Sequence, residues 1–315
     1  MKNVIVTGGT GVTGNALVHR LLQYNISVTA LVRPNSFRRK YLPINEPLLQ
    51  IVECGMNDYK HIADKINNKN YDAFFHLSWD GSTGTAKVDN RNNYSLQLKN
   101  VEYALDAAEL CSKLECSVFL MTGSQAQYGR KNHPVKETDI RCPENGYGMA
   151  KQCAEGMTRL FCKEKRIKHI WPILFSVYGP NDATESLIDK SVRGILKGET
   201  IPYTKGIQLW DYIYSYDAAD ALILLAKKGR DGQVYNVSYG EQRPLFQYIY
   251  ELYDELYPGV KPRLGEIDYS ENAVMFLGAD TTKLREETGF SPSFSFREGI
   301  RIIADKVLKE SQTEE

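Results

Sequence analysis

Apolar runs that alternate with amphipathic helical stretches, and a glycine-rich turn where the first run meets the first helix, predict an α/β fold. The expected architecture is a doubly wound parallel sheet with a smaller, discontinuous lobe drawn mainly from the second half of the chain. Val4-Ile5-Val6 is the first run, and residues 12–22 read as the helix after it. Residues 28–32 give a second strand, residues 49–52 a weaker third, and Ala73-Phe74-Phe75-His76-Leu77 a fourth. In the next helix Val101, Ala104, Leu105, Ala108 and Cys111 recur at helical spacing, and residues 117–121 form a fifth strand. Strands that are apolar along their whole length are covered on both faces, as in a parallel sheet between helical layers. The second half is less regular. Residues 171–177, 208–216 and 234–237 read as strands between mixed segments, and the polar tail after Leu308 reads as frayed. The expected division is a sheet domain over residues 1–175 with returns near 208–238, and the smaller lobe over 176–207 and 239–315.

Composition narrows the function. The 315 residues carry 39 Lys plus Arg against 39 Asp plus Glu, so the net charge is zero and no basic excess is available for a nucleic-acid backbone. Cys54, Cys111, Cys116, Cys142, Cys153 and Cys162 form no CxxC pair, so neither a disulfide framework nor a zinc site is expected, and reduced, mostly buried thiols are. No run approaches the ~18 apolar residues of a membrane span, and no leader-like segment precedes the first strand. A cytoplasmic protein without a membrane partner or a metal is the expectation.

The turn Thr7-Gly8-Gly9-Thr10-Gly11-Val12-Thr13-Gly14 contains Gly9-x-Gly11-x-x-Gly14 between strand and helix. Glycines there allow a tight turn and let the backbone approach a pyrophosphate, which the helix N-terminus then receives. A bare glycine motif is also compatible with an ordinary turn; the strand before it and the helix after it favour dinucleotide binding. At the end of the second strand an acid would accept from a ribose hydroxyl, whereas arginine suits a 2′-phosphate. Arg33 stands there, with Arg38, Arg39 and Lys40 close behind, so NADP(H) is favoured over NAD(H). The plainer reading of this cluster is a solvated basic loop.

Tyr147 and Lys151 lie four residues apart on a helical stretch, on one face. A free phenol titrates near ~10, and a lysine charge beside it favours phenolate, so the pair can pass a proton to or from a carbinol centre. A surface pair with a packing tyrosine is the alternative. Position counts against it, because the fifth strand ends in Thr122-Gly123-Ser124, and Ser124 can hydrogen-bond the same substrate oxygen. As a bland alternative Ser124 is a turn former.

Together the glycine turn, the stretch from Thr122 to Gly129 and Tyr147 to Lys151 resemble the extended short-chain dehydrogenase/reductases. More narrowly they are similar to the NAD-dependent epimerase/dehydratase family acting on nucleotide sugars. Phe75 to Trp79, Asn100, Val177 to Pro180, Asp211 to Tyr214 and Ala279 to Leu284 extend the likeness over nearly the whole chain. The resemblance implies a two-lobed Rossmann fold and catalysis by Ser124, Tyr147 and Lys151, with Asn100 as a helper. It places Thr7, Gly8, Gly9, Thr10, Gly11, Val12, Gly14, Arg33, Leu77, Tyr147 and Lys151 about the cofactor. It implies substrate contacts from Ser78, Trp79, Gln125, Tyr178, Trp210 and Arg243, and a homodimer through helices near 94–114 and 146–164.

Two departures bear on the reaction. Dehydratases of the family carry Asp-Glu after the strand-end hydroxyl residue, where this chain has Gln125 and Ala126, so elimination of water is not expected. The family's diphosphate-gripping arginine before Asp211 is replaced by Trp210, which leaves Arg243 or Lys205 to meet the charge, or a different head group. Trp210 reads either as a base-stacking residue or as a packing aromatic. The expected function is NADPH-dependent reduction of a 4-keto sugar nucleotide, similar to the synthases of CDP-linked dideoxyhexoses. The alternatives are a 4-epimerase with tightly held NAD and a non-catalytic cofactor sensor.

Overall fold

A computed structural model describes residues 1–66, 69–82 and 90–314. In chain order the strands and helices are β1 (Asn3–Thr7), α1 (Val12–Gln23), β2 (Ser27–Val32), β3 (Leu49–Glu53), β4 (Ala73–His76), α2 (Tyr94–Lys113), β5 (Val118–Met121), β6 (Gly123–Ser124) and α3 (Gly146–Lys165). They continue with β7 (Lys168–Leu174), β8 (Ser176–Tyr178), α4 (Leu187–Leu196), β9 (Leu209–Trp210), β10 (Tyr212–Tyr214), α5 (Ser215–Lys228), β11 (Gln233–Val237), β12 (Arg243–Pro244), α6 (Leu245–Leu256), β13 (Phe276–Leu277), α7 (Thr282–Thr288) and α8 (Phe296–Glu314).

The main sheet runs β3-β2-β1-β4-β5-β7-β11, with β6 beside β7 and every pairing parallel. Strand order reverses between β1 and β4, and ligands of such sheets bind in the crevice at that switch point. Leu17, Leu21, Ala218 and Leu222 of α1 and α5 pack on one face with Val4 and Val28. Val101, Ala104 and Ala108 of α2 and Ala154 of α3 pack on the other with Ile5 and Phe74. A third apolar cluster, from Val192 of α4, Ile249 and Leu252 of α6 and Ile300 of α8, belongs to the smaller lobe. Four of the cysteines are buried, Cys142 and Cys153 are exposed, and all six are free thiols.

Three boundaries differ from the sequence reading. The strand expected over 208–216 breaks at Asp211 and becomes α5 at Ser215. Fully buried Asp211 accepts from the backbone N–H of Tyr239 (3.1 Å) and Gly240 (3.0 Å), clamping a neighbouring loop where the strand would have continued. The strand expected over 171–177 begins earlier, at Lys168, and breaks at Phe175; Lys168 Nζ reaches the Ala226 carbonyl (2.9 Å) and His169 Nε2 meets the Thr158 hydroxyl (3.0 Å), so each polar residue has a partner inside it. The tail after Leu308 is helical through Glu314, because Glu310 pairs with Arg193 at 3.0 Å and ties the last turns down.

Candidate active site

The β1–α1 turn is shaped by its glycines. Gly8 has φ +71°, and a Cβ on it would come within 2.7 Å of the Leu77 carbonyl carbon and the Ser78 nitrogen. A Cβ on Gly14 would fall on the Gly8 carbonyl oxygen. Gly9 is buried beneath the turn, where a Cβ would meet Val18 at 3.3 Å. Gly11 caps α1 without a side chain and no acid lies in its first turn, so the helix presents bare N–H groups and its positive end. This cradle fits a pyrophosphate. It opens on a cleft of about 830 Å³ lined by Thr10, Val12, Arg33, Leu77, Ser78 and Trp79, among others, reaching Thr122 at the inner end. Thr7 is fully buried: its hydroxyl lies 2.8 Å from His76 Nδ1 and accepts from Ser78 N at 3.3 Å, bracing the turn against the β4 loop.

The basic residues after β2 have different fates. Arg39 pairs with Glu53 at 2.7 Å, and Arg38 bonds the Asn181 carbonyl of the smaller lobe. Lys40 lies over the Tyr41 ring at 5.4 Å. Arg33 is exposed on the cleft wall and makes no ion pair among the described residues.

At the inner end, Asn145 caps α3 by accepting from Gly148 N at 2.8 Å. Gly148 lets the helix lie flush on the turn after β6, since a Cβ there would strike the Ala126 carbonyl oxygen. That close approach brings Tyr147 towards Ser124, whose hydroxyl favours the phenolate. Tyr147 is 9% exposed and Lys151 2%, one turn further on, with its Nζ donating to the Thr122 carbonyl at 2.8 Å. Burial raises the phenol above its ordinary value, partly offset by the Ser124 hydrogen bond and the charge of Arg91. Burial also lowers Lys151 to about 7. The Lys151 side chain is directed to the Thr122 carbonyl and to the face of the Trp79 ring.

Asn100 is 2% exposed and its amide is fully engaged, donating to the Asp80 carbonyl (2.9 Å) and accepting from Asp80 N (3.0 Å). It braces the loop that carries Trp79. Gln125 is half-buried next to Ser124. The other expected substrate contacts sit apart from this group. Tyr178 is 2% exposed, with its hydroxyl on the Phe296 carbonyl (3.3 Å) in the core of the smaller lobe. Trp210 donates its indole N–H to Ser176 at 2.7 Å and packs on two apolar clusters. Arg243 lies opposite Trp210 across β12 and β9, over the Tyr248 ring at 4.1 Å and bonded to Glu251 at 3.1 Å. Lys205 is exposed.

Sequence reasoning missed several contributors. Cys54, Gly55 and Asn57 line the outer cleft after β3, signalled only by the Cys-Gly-Met-Asn turn. Arg91 stands 6.0 Å from the Tyr147 ring, and Gln97 holds the indole of Trp79; both are polar residues with no motif around them.

A parallel sheet with a glycine cradle at its switch point and a Ser-Tyr-Lys set beside it, its tyrosine and lysine buried, defines a nicotinamide-dependent enzyme of the short-chain dehydrogenase/reductase type. The chain belongs to the NAD dependent epimerase/dehydratase family, whose profile matches residues 4–238. Among relatives, a dTDP-glucose 4,6-dehydratase of Salmonella typhimurium is 24% identical over 98% of this chain and 93% of its own. Among solved structures, a UDP-N-acetylglucosamine 4-epimerase from Methanobrevibacter ruminantium, in complex with UDP-N-acetylmuramic acid, superposes with TM-score 0.86 at 25% identity, over 98% of this chain and 99% of that one. A UDP-glucose 4-epimerase from Thermotoga maritima gives TM-score 0.85 at 24% identity, over 99% and 100% of the two chains. Among the described residues no helix is long and apolar enough to cross a membrane.

Proposed function

We propose that this enzyme reduces a keto group of a nucleotide-activated sugar, at C4, using NADP(H). The observation that carries the reading is the end of β2: no acid stands there to accept from a ribose hydroxyl, and Arg33 is exposed on the cleft wall while Arg38 and Arg39 are engaged elsewhere. The nicotinamide cofactor supplies hydride when bound. Tyr147 gives its phenol proton to the substrate carbonyl oxygen as that oxygen gains charge, and Ser124 donates a hydrogen bond to the same atom. Lys151, while protonated, holds positive charge next to the resulting phenolate. Burial of Tyr147 and Lys151, beside a half-buried Ser124, limits the water that competes for the proton.

Dehydration has no support at this site. Gln125 does not ionise and Ala126 carries no polar group. Of the nearby acids, Glu144 is held by Arg130 at 2.6 Å, with its carboxyl below the ordinary value because the Arg130 backbone N–H and guanidinium bond it. Asp80 is exposed and tied by its backbone to Asn100.

The second reading is a 4-epimerase with tightly retained NAD, favoured by the family's NAD dependence and by the likeness to the Methanobrevibacter epimerase. Denaturing the purified protein separates the two. Release of stoichiometric NAD supports the epimerase; protein that releases no nucleotide, binds added NADPH and oxidises it with a 4-keto sugar nucleotide supports the reductase. The assembly belongs to the same proposal. Tyr94 and Leu98 of α2 and Met149, Met157 and Leu160 of α3 are exposed on two helices that pack together, an apolar face suited to a second copy of the chain. Sedimentation as a monomer at micromolar concentration would remove the dimer from it.

A further inference from the structure

Trp79 occupies a place for which the chemistry above has no use. It follows β4 on the wall of the cleft, and its ring lies between the two residues that handle the proton. Lys151 Nζ stands 4.0 Å from the centroid of the indole, and the Tyr147 ring meets it edge-on at 6.0 Å and 75°. The indole is itself fixed. Its N–H donates to Gln97 Oε1 at 2.9 Å, and Gln97, 1% exposed, donates from Nε2 to the carbonyls of Gly81 (3.0 Å) and Asn90 (2.8 Å). Every polar atom of that amide is therefore engaged in holding one ring at one angle.

Among the described residues no carboxylate is paired with Lys151. Its Nζ donates to the Thr122 carbonyl, and its nearest described titratable neighbours give it no counter-charge. His76 on β4 is 1% exposed and held neutral by burial, at about 3; Tyr147 on the lysine's own helix has a phenol raised by burial; Arg91, before α2, is a cation. A buried ammonium in that setting loses its proton readily, and a neutral amine cannot stabilise a phenolate. The face of an indole is the strongest aromatic partner for a cation, and it acts most where water is excluded.

We propose that Trp79, oriented by Gln97, is a positioning residue that holds the Lys151 ammonium on its ring face and keeps that lysine charged for proton transfer by Tyr147. The proposal rests on Tyr147 and Lys151 acting together as above, but it makes no use of the substrate or of the choice between NADP(H) and NAD(H).

The test reads Lys151 directly in the full-length protein. Only a neutral amine reacts with formaldehyde and cyanoborohydride, so the rate of methylation at Lys151, followed by peptide mass against pH, gives a midpoint that does not depend on access. Trp79→Phe, which keeps a ring, is expected to lower that midpoint by about half a pH unit, and Trp79→Leu by about one, with surface lysines unchanged. Gln97→Met should move it the same way by less. Indole emission supplies a second signature, because a charged ammonium on the ring alters it. Wild-type emission should show a transition at the same midpoint, absent from Lys151→Met and from Trp79→Phe. Midpoints that stay together in wild type, Trp79→Phe and Trp79→Leu would overturn the proposal, as would an emission transition that survives in Lys151→Met. A failure of the reductase reading would show instead as absent turnover with these midpoints behaving as described.

Discussion

At its outer end the cleft is made of backbone, whereas at its inner end it is made of side chains. The proposed phosphate cradle consists of Gly8, Gly11, Gly14 and the bare N–H groups of α1, with space withheld rather than groups supplied. The proposed proton-handling end consists of Ser124, Tyr147, Lys151 and Trp79, delivered from different elements or turns, with Lys151 held by Thr122 and Trp79 by Gln97. A backbone site fails when an atom is added, and a side-chain site fails when one is removed. The substitutions that follow exploit that contrast.

Removal of a single oxygen at the inner end has the largest expected effect. Tyr147→Phe keeps the ring and its edge-on contact with Trp79 but leaves no proton to transfer, so kcat should fall by about three orders of magnitude. Cofactor affinity, measured by titrating the fluorescence of NADPH, should stay close to wild type. Turnover within tenfold of wild type would remove Tyr147 from the chemistry.

Addition of a single carbon at the outer end comes next. Gly14→Ala places a methyl on the Gly8 carbonyl, and relief requires the turn to move away from the pyrophosphate position. Cofactor affinity should weaken by on the order of a hundredfold, with little change in the ring contacts at Tyr147. If both affinity and turnover were unaffected, the turn would not be the phosphate cradle.

The same contrast explains what could be read from the sequence. The cradle and strands β1 to β5 were legible to within a residue or two, because glycine spacing and wholly apolar runs are local patterns. Ser124, Tyr147 and Lys151 were legible through the resemblance, and Gly148, which brings α3 onto the Ala126 carbonyl, lies inside the same short motif. The smaller lobe was not. The break at Asp211 depends on N–H groups almost thirty residues downstream, at Tyr239 and Gly240, and α6, with the sequence LFQYIYELYDEL, mixes aromatic and helical preference. Trp210 and Arg243 were read toward the substrate; in the structure Trp210 donates to Ser176, just before the Val177–Pro180 stretch, and Arg243 bonds Glu251 of α6, which no motif marks. Gln97 was invisible for the same reason: nothing about a glutamine in a helix announces that it grips an indole eighteen residues earlier.

Cofactor choice is expected to move less than turnover or affinity. Arg33→Asp replaces a partner for a 2′-phosphate with an acceptor for a ribose hydroxyl, so the ratio of kcat/KM for NADPH over NADH should fall by about tenfold or more. A wild type that already prefers NADH would turn Arg33 into a solvated surface residue and strengthen the epimerase reading.

The smallest expected effect is the sharpest test of that assignment, because it separates Arg33 from its neighbours. Arg39 belongs to the same basic run, and as a solvated cluster the two would contribute alike. In the structure they do not: the Arg39 guanidinium lies 2.7 Å from Glu53, whose backbone is beside Val32 at the end of the second and third strands, while Arg33 faces the cleft. Both members of the Arg39 pair are about half exposed, at 46% and 58%, so solvent screens the attraction and its loss costs about 0.5 kcal/mol or less. Arg39→Gln should therefore leave the NADPH to NADH ratio within about twofold of wild type and the melting temperature within a degree or two. The preference is then a property of one side chain at one position rather than of the local positive potential. A drop in the ratio comparable to that of Arg33→Asp would mean that the whole run from Arg33 to Lys40 attracts the phosphate at long range. Raising the ionic strength would separate the two cases, since a long-range field is screened within about 10 Å at 0.1 M salt while a direct contact to Arg33 is much less affected.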